Sequence, residues 1–179
     1  MTTLYIIGRI ITIPGAYLKA FCEHLICRIL RIPTGEPRYL RLDEMLGHIE
    51  HDLPDGVGKN FWFCSLSGII NILFGLPMLL AGALGLLYLG VGYAGDEKSP
   101  VFFAYLIMLY FGIALMSNIF PLAEDALYTW GLVFDEKTPV IFKVLLFIPC
   151  AVLVGGAYIE RYAAYLPIWA ALMLAAIYL

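Results

Sequence analysis

Two long stretches of the chain, Phe61 to Ala94 and Ala104 to Phe120, carry no charged residue. Neither alternates apolar with polar positions as a barrel strand would. In hydrocarbon every backbone N–H and C=O must be satisfied internally, and a helix does so within one segment. The pattern predicts about five transmembrane helices: Leu4 to Leu30, Phe61 to Tyr93, Val101 to Ile119, Pro139 to Tyr158 and Ala163 to Leu179. The second is long enough to tilt or break, with Pro77 inside it. Pro121 interrupts the third just before Glu124 and Asp125, and a tight Glu160-Arg161 turn joins the last two. Between the first two spans lies a polar loop, 31–60, punctuated by Pro33, Gly35, Pro37, Gly47, Pro54, Gly56 and Gly58. The fold class is an all-α membrane protein, one integral domain over residues 1–179 without internal repeats.

Composition sharpens this picture. Hydrophobic residues make up 62% of the chain and charged ones 14%, against roughly half and about a quarter in soluble domains. The excess must face lipid. A net charge of −3 without a basic cluster gives no reason to expect nucleic acid as a partner. Cys22, Cys27, Cys64 and Cys150 fall in or beside apolar segments, where free buried thiols are expected. No Lys or Arg precedes Arg9, so the first segment reads as a span and not as a cleaved signal peptide. Gly82, Gly85, Gly90 and Gly92 permit close helix packing without forming the GxxxG dimer motif.

Basic residues set the expected orientation. Arg28, Arg31, Arg38, Arg41 and Lys59 border or occupy the first loop, and Lys137 and Lys143 lie beyond the third span. The other face has only Lys98, Arg161 and Arg9. The N-terminus is therefore expected outside, with loop 31–60 and the C-terminus cytosolic.

Charge inside a span costs roughly 2.5–3.5 kcal/mol per residue at mid-membrane and so marks a functional position by default. Lys19 lies near the centre of the first span, with Glu23 one turn on as its expected partner. His24 sits beside Arg28 on a neighbouring face. Asn71, Glu124 and Asp125 fall at a compatible depth on the second and third spans. Lys19, Glu23, His24, Asn71, Glu124 and Asp125 thus form the expected intramembrane polar cluster, although Glu124 and Asp125 also read as solvated residues at a helix end.

These residues resemble a family, the site-2-protease-like intramembrane metalloproteases. Pro14-Gly15 followed by Lys19-Ala20-Phe21-Cys22-Glu23 stands where that family has a Pro-Gly-like entry and HExxH. Ser67-Gly68-Ile69-Ile70-Asn71 resembles its second helix, and Phe120-Pro121-Leu122-Ala123-Glu124-Asp125 its Pro-Asp break. Gly47-His48-Ile49-Glu50-His51 is similar to the segment after the first core helix. The resemblance covers about residues 10–130 and implies that the first three spans form a protease-like core. It also implies lost chemistry, because HExxH needs two histidine ligands and a glutamate base. Lys19, Glu23 and Ala20 stand in their places, and an ammonium cannot ligate a metal nor alanine take a proton.

The expected function is a non-catalytic scaffold or binding protein within the membrane, a pseudoenzyme without metal or cofactor. Its partners would be the bilayer and another membrane protein or a second copy of the chain. One alternative is an active zinc metalloprotease with Glu23, His24 and Asp125 as ligands. Glu23 and His24 point about 100° apart on a helix, which weakens that set. His48 and His51 could be recruited from the loop, though loop histidines are usually solvated. The other alternative is a small transporter or complex subunit with helices broken at Pro77 and Pro121.

Overall fold

A computed structural model of the protein describes residues 2–40, 45–92 and 100–162. Six helices follow in order: α1 (Thr2–Ile11), α2 (Ile13–Leu30), α3 (Val57–Gly92), α4 (Pro100–Met116), α5 (Ala123–Phe134) and α6 (Val140–Arg161). Among the described residues there is no strand, only an isolated bridge between Thr34 and His51. Among the described residues two helices, α3 and α6, are long and apolar enough to cross a membrane. The number rises to three if α1 and α2 count as one broken span, and α4 is a shorter apolar helix. These apolar helices point to a membrane location. The expected fifth span and the loop around Asp96 lie outside the described residues.

The first span is not one straight helix. It bends by 94° between α1 and α2. Pro14 is tolerated in the first turn of a helix, where its missing N–H would have no partner anyway. Thr12 therefore becomes the cap of a new helix, and its hydroxyl turns back to donate to the Gly8 carbonyl at 2.9 Å. By contrast α3 runs unbroken through Pro77, and α6 through Pro149.

Helices α3 and α4 form an antiparallel hairpin joined by close glycine contacts. Gly82 lies against the Leu109 backbone, Gly85 against the Tyr105 ring, and Gly112 against the Leu79 backbone. Helix α2 crosses the end of α4, with Gly15 against the Ala114 carbonyl. Helix α5 packs on α6 through Ala123, Ala126 and Ala157, and through Trp130 and Phe134 meeting Phe147. The outer face of α6, including Val140, Ile141, Val144 and Leu145, is exposed, as suits contact with lipid tails.

Two expectations drawn from the sequence are corrected by this fold. Glu160 and Arg161 do not form a turn: they are the last residues of α6, and Glu160 is buried. The loop 31–60 is not a solvated connector throughout. Leu46, Gly47, His48 and Ile49 are buried against the helices. Gly47 makes that approach possible, with φ at +89° and a position where a Cβ would stand 3.1 Å from the Ala16 Cβ.

Candidate functional site

The unwound stretch after α4 is the origin of the site. Pro121 has no N–H and disfavours helix at the residue before it, so the chain leaves helical geometry after Met116 and resumes at Ala123. Backbone groups freed inside an apolar bundle must find other partners. Glu160 supplies two: its Oε1 accepts the amides of Ile119 at 2.7 Å and Phe120 at 2.6 Å. Asn71 supplies another, donating to the Asn118 carbonyl at 2.6 Å and to the Gly15 carbonyl at 3.3 Å. Side chains from α6 and α3 thus stand in for the missing helical hydrogen bonds.

Asn118 locks the same break to the bend between α1 and α2. Its Nδ2 donates to the Thr12 hydroxyl at 3.0 Å and the Ala114 carbonyl at 2.7 Å. Its Oδ1 accepts from Arg9. Arg9 also donates to Glu160 Oε2 at 2.7 Å. Lys19 Nζ lies 3.8 Å from that same oxygen, fully buried, and makes no hydrogen bond among the described residues. One carboxylate, from the last described helix, is therefore shared by two buried cations from the first two.

A second carboxylate, Glu23, holds the loop. Its Oε1 is 3.0 Å from His48 Nδ1, and its Oε2 accepts the Ile49 amide at 3.2 Å. The other ring nitrogen of His48 faces an Arg9 N–H at 3.3 Å, so it must accept, which leaves the proton on Nδ1 for Glu23. His48 is accordingly neutral: burial, then the charges of Lys19 and Arg9, push its pKa well below the ordinary imidazole value. His51 behaves oppositely. Its Nδ1 donates to the Asp52 carbonyl at 2.9 Å, and its Nε2 is 3.4 Å from Asp125 Oδ2. Burial lowers its pKa, but the hydrogen bonds to Asp125 and Asp52 outweigh that and raise it overall. Its ring also meets Phe63 edge-on.

The six polar residues singled out from the sequence separate into two groups. Lys19, Glu23, Asn71 and Asp125 are buried. His24 is half-buried and faces the Tyr39 hydroxyl at 2.6 Å, and Glu124 is exposed and paired with Arg161 at 3.0 Å. The expected Lys19–Glu23 ion pair is not made. Spacing of four residues puts the two side chains on one face of α2, but each turns to a partner on another element, Glu160 and His48 respectively. Asp125 goes to His51. Among the described residues no three of His, Cys, Asp and Glu are grouped to hold a metal, so Glu23, His24 and Asp125 do not assemble as ligands. Arg9, His48, Asn118 and Glu160 were not in the expected cluster, although Arg9 and Asn118 carried the signal of a strongly polar residue inside or ending an apolar run. Compared with known proteins, the chain matches no family model, no curated protein and no solved structure.

Proposed function

We propose that the chain is a non-catalytic membrane protein, a scaffold or binding partner within the bilayer, built on a core similar to that of site-2 proteases. The single observation that supports this reading is the engagement of every carboxylate in the centre. Glu160 is held by Arg9, Lys19 and two backbone amides, Glu23 by His48 and Ile49, and Asp125 by His51. Zinc is the group such a core would hold, and the residues present do not fit it. Lys19 puts an ammonium where a ligand would stand, and Ala20 offers no base. A cluster whose carboxylates are all engaged favours a fixed arrangement of helices over turnover, at the cost of desolvating the ions.

Elemental analysis of the purified protein tests this directly. Zinc is expected far below one atom per chain, unchanged by Glu23→Ala or Asp125→Ala. About one zinc per chain, lost on either substitution, would return the enzyme reading.

For topology, the proposed arrangement has the N-terminus outside and loop 31–60 cytosolic. The basic residues Arg28, Arg31, Arg38, Arg41 and Lys59 on one side support it. Lys59 is exposed at the start of α3, and all four native cysteines are buried, so Lys59→Cys gives a clean label. An impermeant thiol reagent is expected to reach it in permeabilised cells only. Labelling of intact cells would invert the assignment.

A further inference from the structure

His48 and His51, on the segment between α2 and α3, are held in opposite states of protonation. His48 is buried between a donor and an acceptor: an Arg9 N–H faces its Nε2 at 3.3 Å, and Glu23 Oε1 faces its Nδ1 at 3.0 Å. A neutral imidazole fits there, whereas an imidazolium would turn a second N–H on the guanidinium. His51 lies between two acceptors, with the Asp52 carbonyl 2.9 Å from Nδ1 and Asp125 Oδ2 3.4 Å from Nε2. Only the imidazolium has a proton for each.

Both contacts fasten the same short stretch, 45–52, onto the helices. Between them Ile49 is buried, its amide donating to Glu23 Oε2 at 3.2 Å. Gly47, with φ at +89°, brings the stretch against Ala16 and Arg9. The charged groups around His48 come from every element packed on it: Arg9 from α1, Lys19 and Glu23 from α2, Asp125 from α5 and Glu160 from α6. Around His51 they are Asp125 from α5 and Glu23 from α2, and α3 presents the Phe63 ring.

We infer that segment 45–52 is a pH-gated strap, docked over Arg9 and Glu23 while His48 is neutral and His51 charged, and released when either condition fails. Acid releases it by placing a proton on His48 against Arg9. Alkali releases it by removing one of the two protons that His51 shares with Asp125 and Asp52. Burial, then Lys19 and Arg9, push the His48 pKa well below the ordinary imidazole value of 6.5. Its contribution to docking is therefore complete above that value and is lost as the pH falls through the lowered pKa. For His51, burial lowers the pKa, but the hydrogen bonds to Asp125 and Asp52 raise it overall. Its contribution is complete below 6.5 and is lost as the pH rises through the raised pKa. Docking is strongest where the two ranges meet, and release on either side lets water reach Glu23 and Arg9. The strap does not depend on the protease-like reading.

Hydrogen exchange of the protein in detergent micelles, followed by mass spectrometry from about pH 5 to about pH 9, tests the strap. The signal is the uptake of a peptide covering 45–52, divided by the intrinsic exchange rate at each pH. Protection is expected to peak near the ordinary imidazole value and to fall by about tenfold or more toward each end, as displacing a pKa by one changes a linked equilibrium tenfold. Peptides from α3 are expected to keep their protection throughout. His48→Gln offers one donor to Glu23 and one acceptor to Arg9 at every pH, and is expected to abolish the loss in acid while keeping the loss in alkali. Asp125→Asn removes the charge that favours the imidazolium, and is expected to move the alkaline loss to lower pH. The inference is overturned by a wild-type profile that is flat, by equal losses in α3, or by an acid limb that persists in His48→Gln. The first two outcomes need no variant.

Discussion

Replacing Glu160 with leucine is expected to destabilise the protein by roughly 3–5 kcal/mol, the range for stripping one partner from a buried ion pair. The carboxylate is 2.7 Å from Arg9 and 3.8 Å from Lys19, and both cations have almost no exposure to solvent. It also accepts the amides of Ile119 and Phe120, which have left helical geometry. Leucine therefore strands two charges and two donors at once. Glu160→Gln keeps an acceptor oxygen and is expected to fall between. Lys19→Met alone is expected to cost much less, because Lys19 makes no hydrogen bond among the described residues. Combined with Glu160→Leu it should recover part of the loss. Unfolding in mixed micelles, titrated with denaturing detergent, measures all four. A Glu160→Leu variant within about 1 kcal/mol of wild type, the size of an exposed pair, would remove Glu160 as the electrostatic centre.

The second large effect comes from adding one methyl group. A Cβ on Gly15 would stand 1.9 Å from the Ala114 carbonyl oxygen and 2.9 Å from Asn118 Nδ2. The first of these is backbone and cannot rotate aside, so α2 and α4 must separate. Overpacking of this kind costs about 1–3 kcal/mol, and each buried polar group left without its partner adds about 1–3. Separation would pull the Gly15 carbonyl from Asn71 and loosen Asn118 from Thr12. Gly15→Ala is expected to lose about 2–6 kcal/mol in the same titration, on the sum of those two effects. Gly131→Ala serves as the control. Nothing lies within 4 Å of the place its added methyl would take, and the change gains up to about 1 kcal/mol of helix propensity. Equal stability of the two variants would show that the α2–α4 crossing is slack.

What the sequence made legible follows from the range of its signals. The apolar runs located α3, α4 and α6 within a few residues, because a helix in lipid is specified by its own apolar length. Lys19, Glu23, Asn71 and Asp125 stood out for the converse reason, polar groups in apolar surroundings. Their partners were not legible. Helical spacing reports only neighbours on the same helix, and so it joined Lys19 to Glu23 when the nearest carboxylate comes from α6. Glu160 escaped notice because Arg161 beside it suggested a wet turn, whereas one residue faces the core and the next faces out. His48 was obscured by its polar loop, although Leu46 and Ile49 around it carried an apolar signal. The bend at Thr12 was written in the Thr-Ile-Pro order of a helix start, outweighed by the unbroken hydropathy on either side.

The pairing of Arg9 with Glu160 also constrains how the chain is made. The two residues are 151 positions apart. At ordinary translation rates of about 5–20 residues per second, roughly 8–30 s pass between the synthesis of the first and the second. Throughout that interval the amino-terminal helix pair holds two cations destined for a dry interior, and their counter-ion does not yet exist. The carboxylate that both cations share is supplied only with the last described helix. The Arg9–Glu160 contact therefore forms late, after the rest of the described chain has been made.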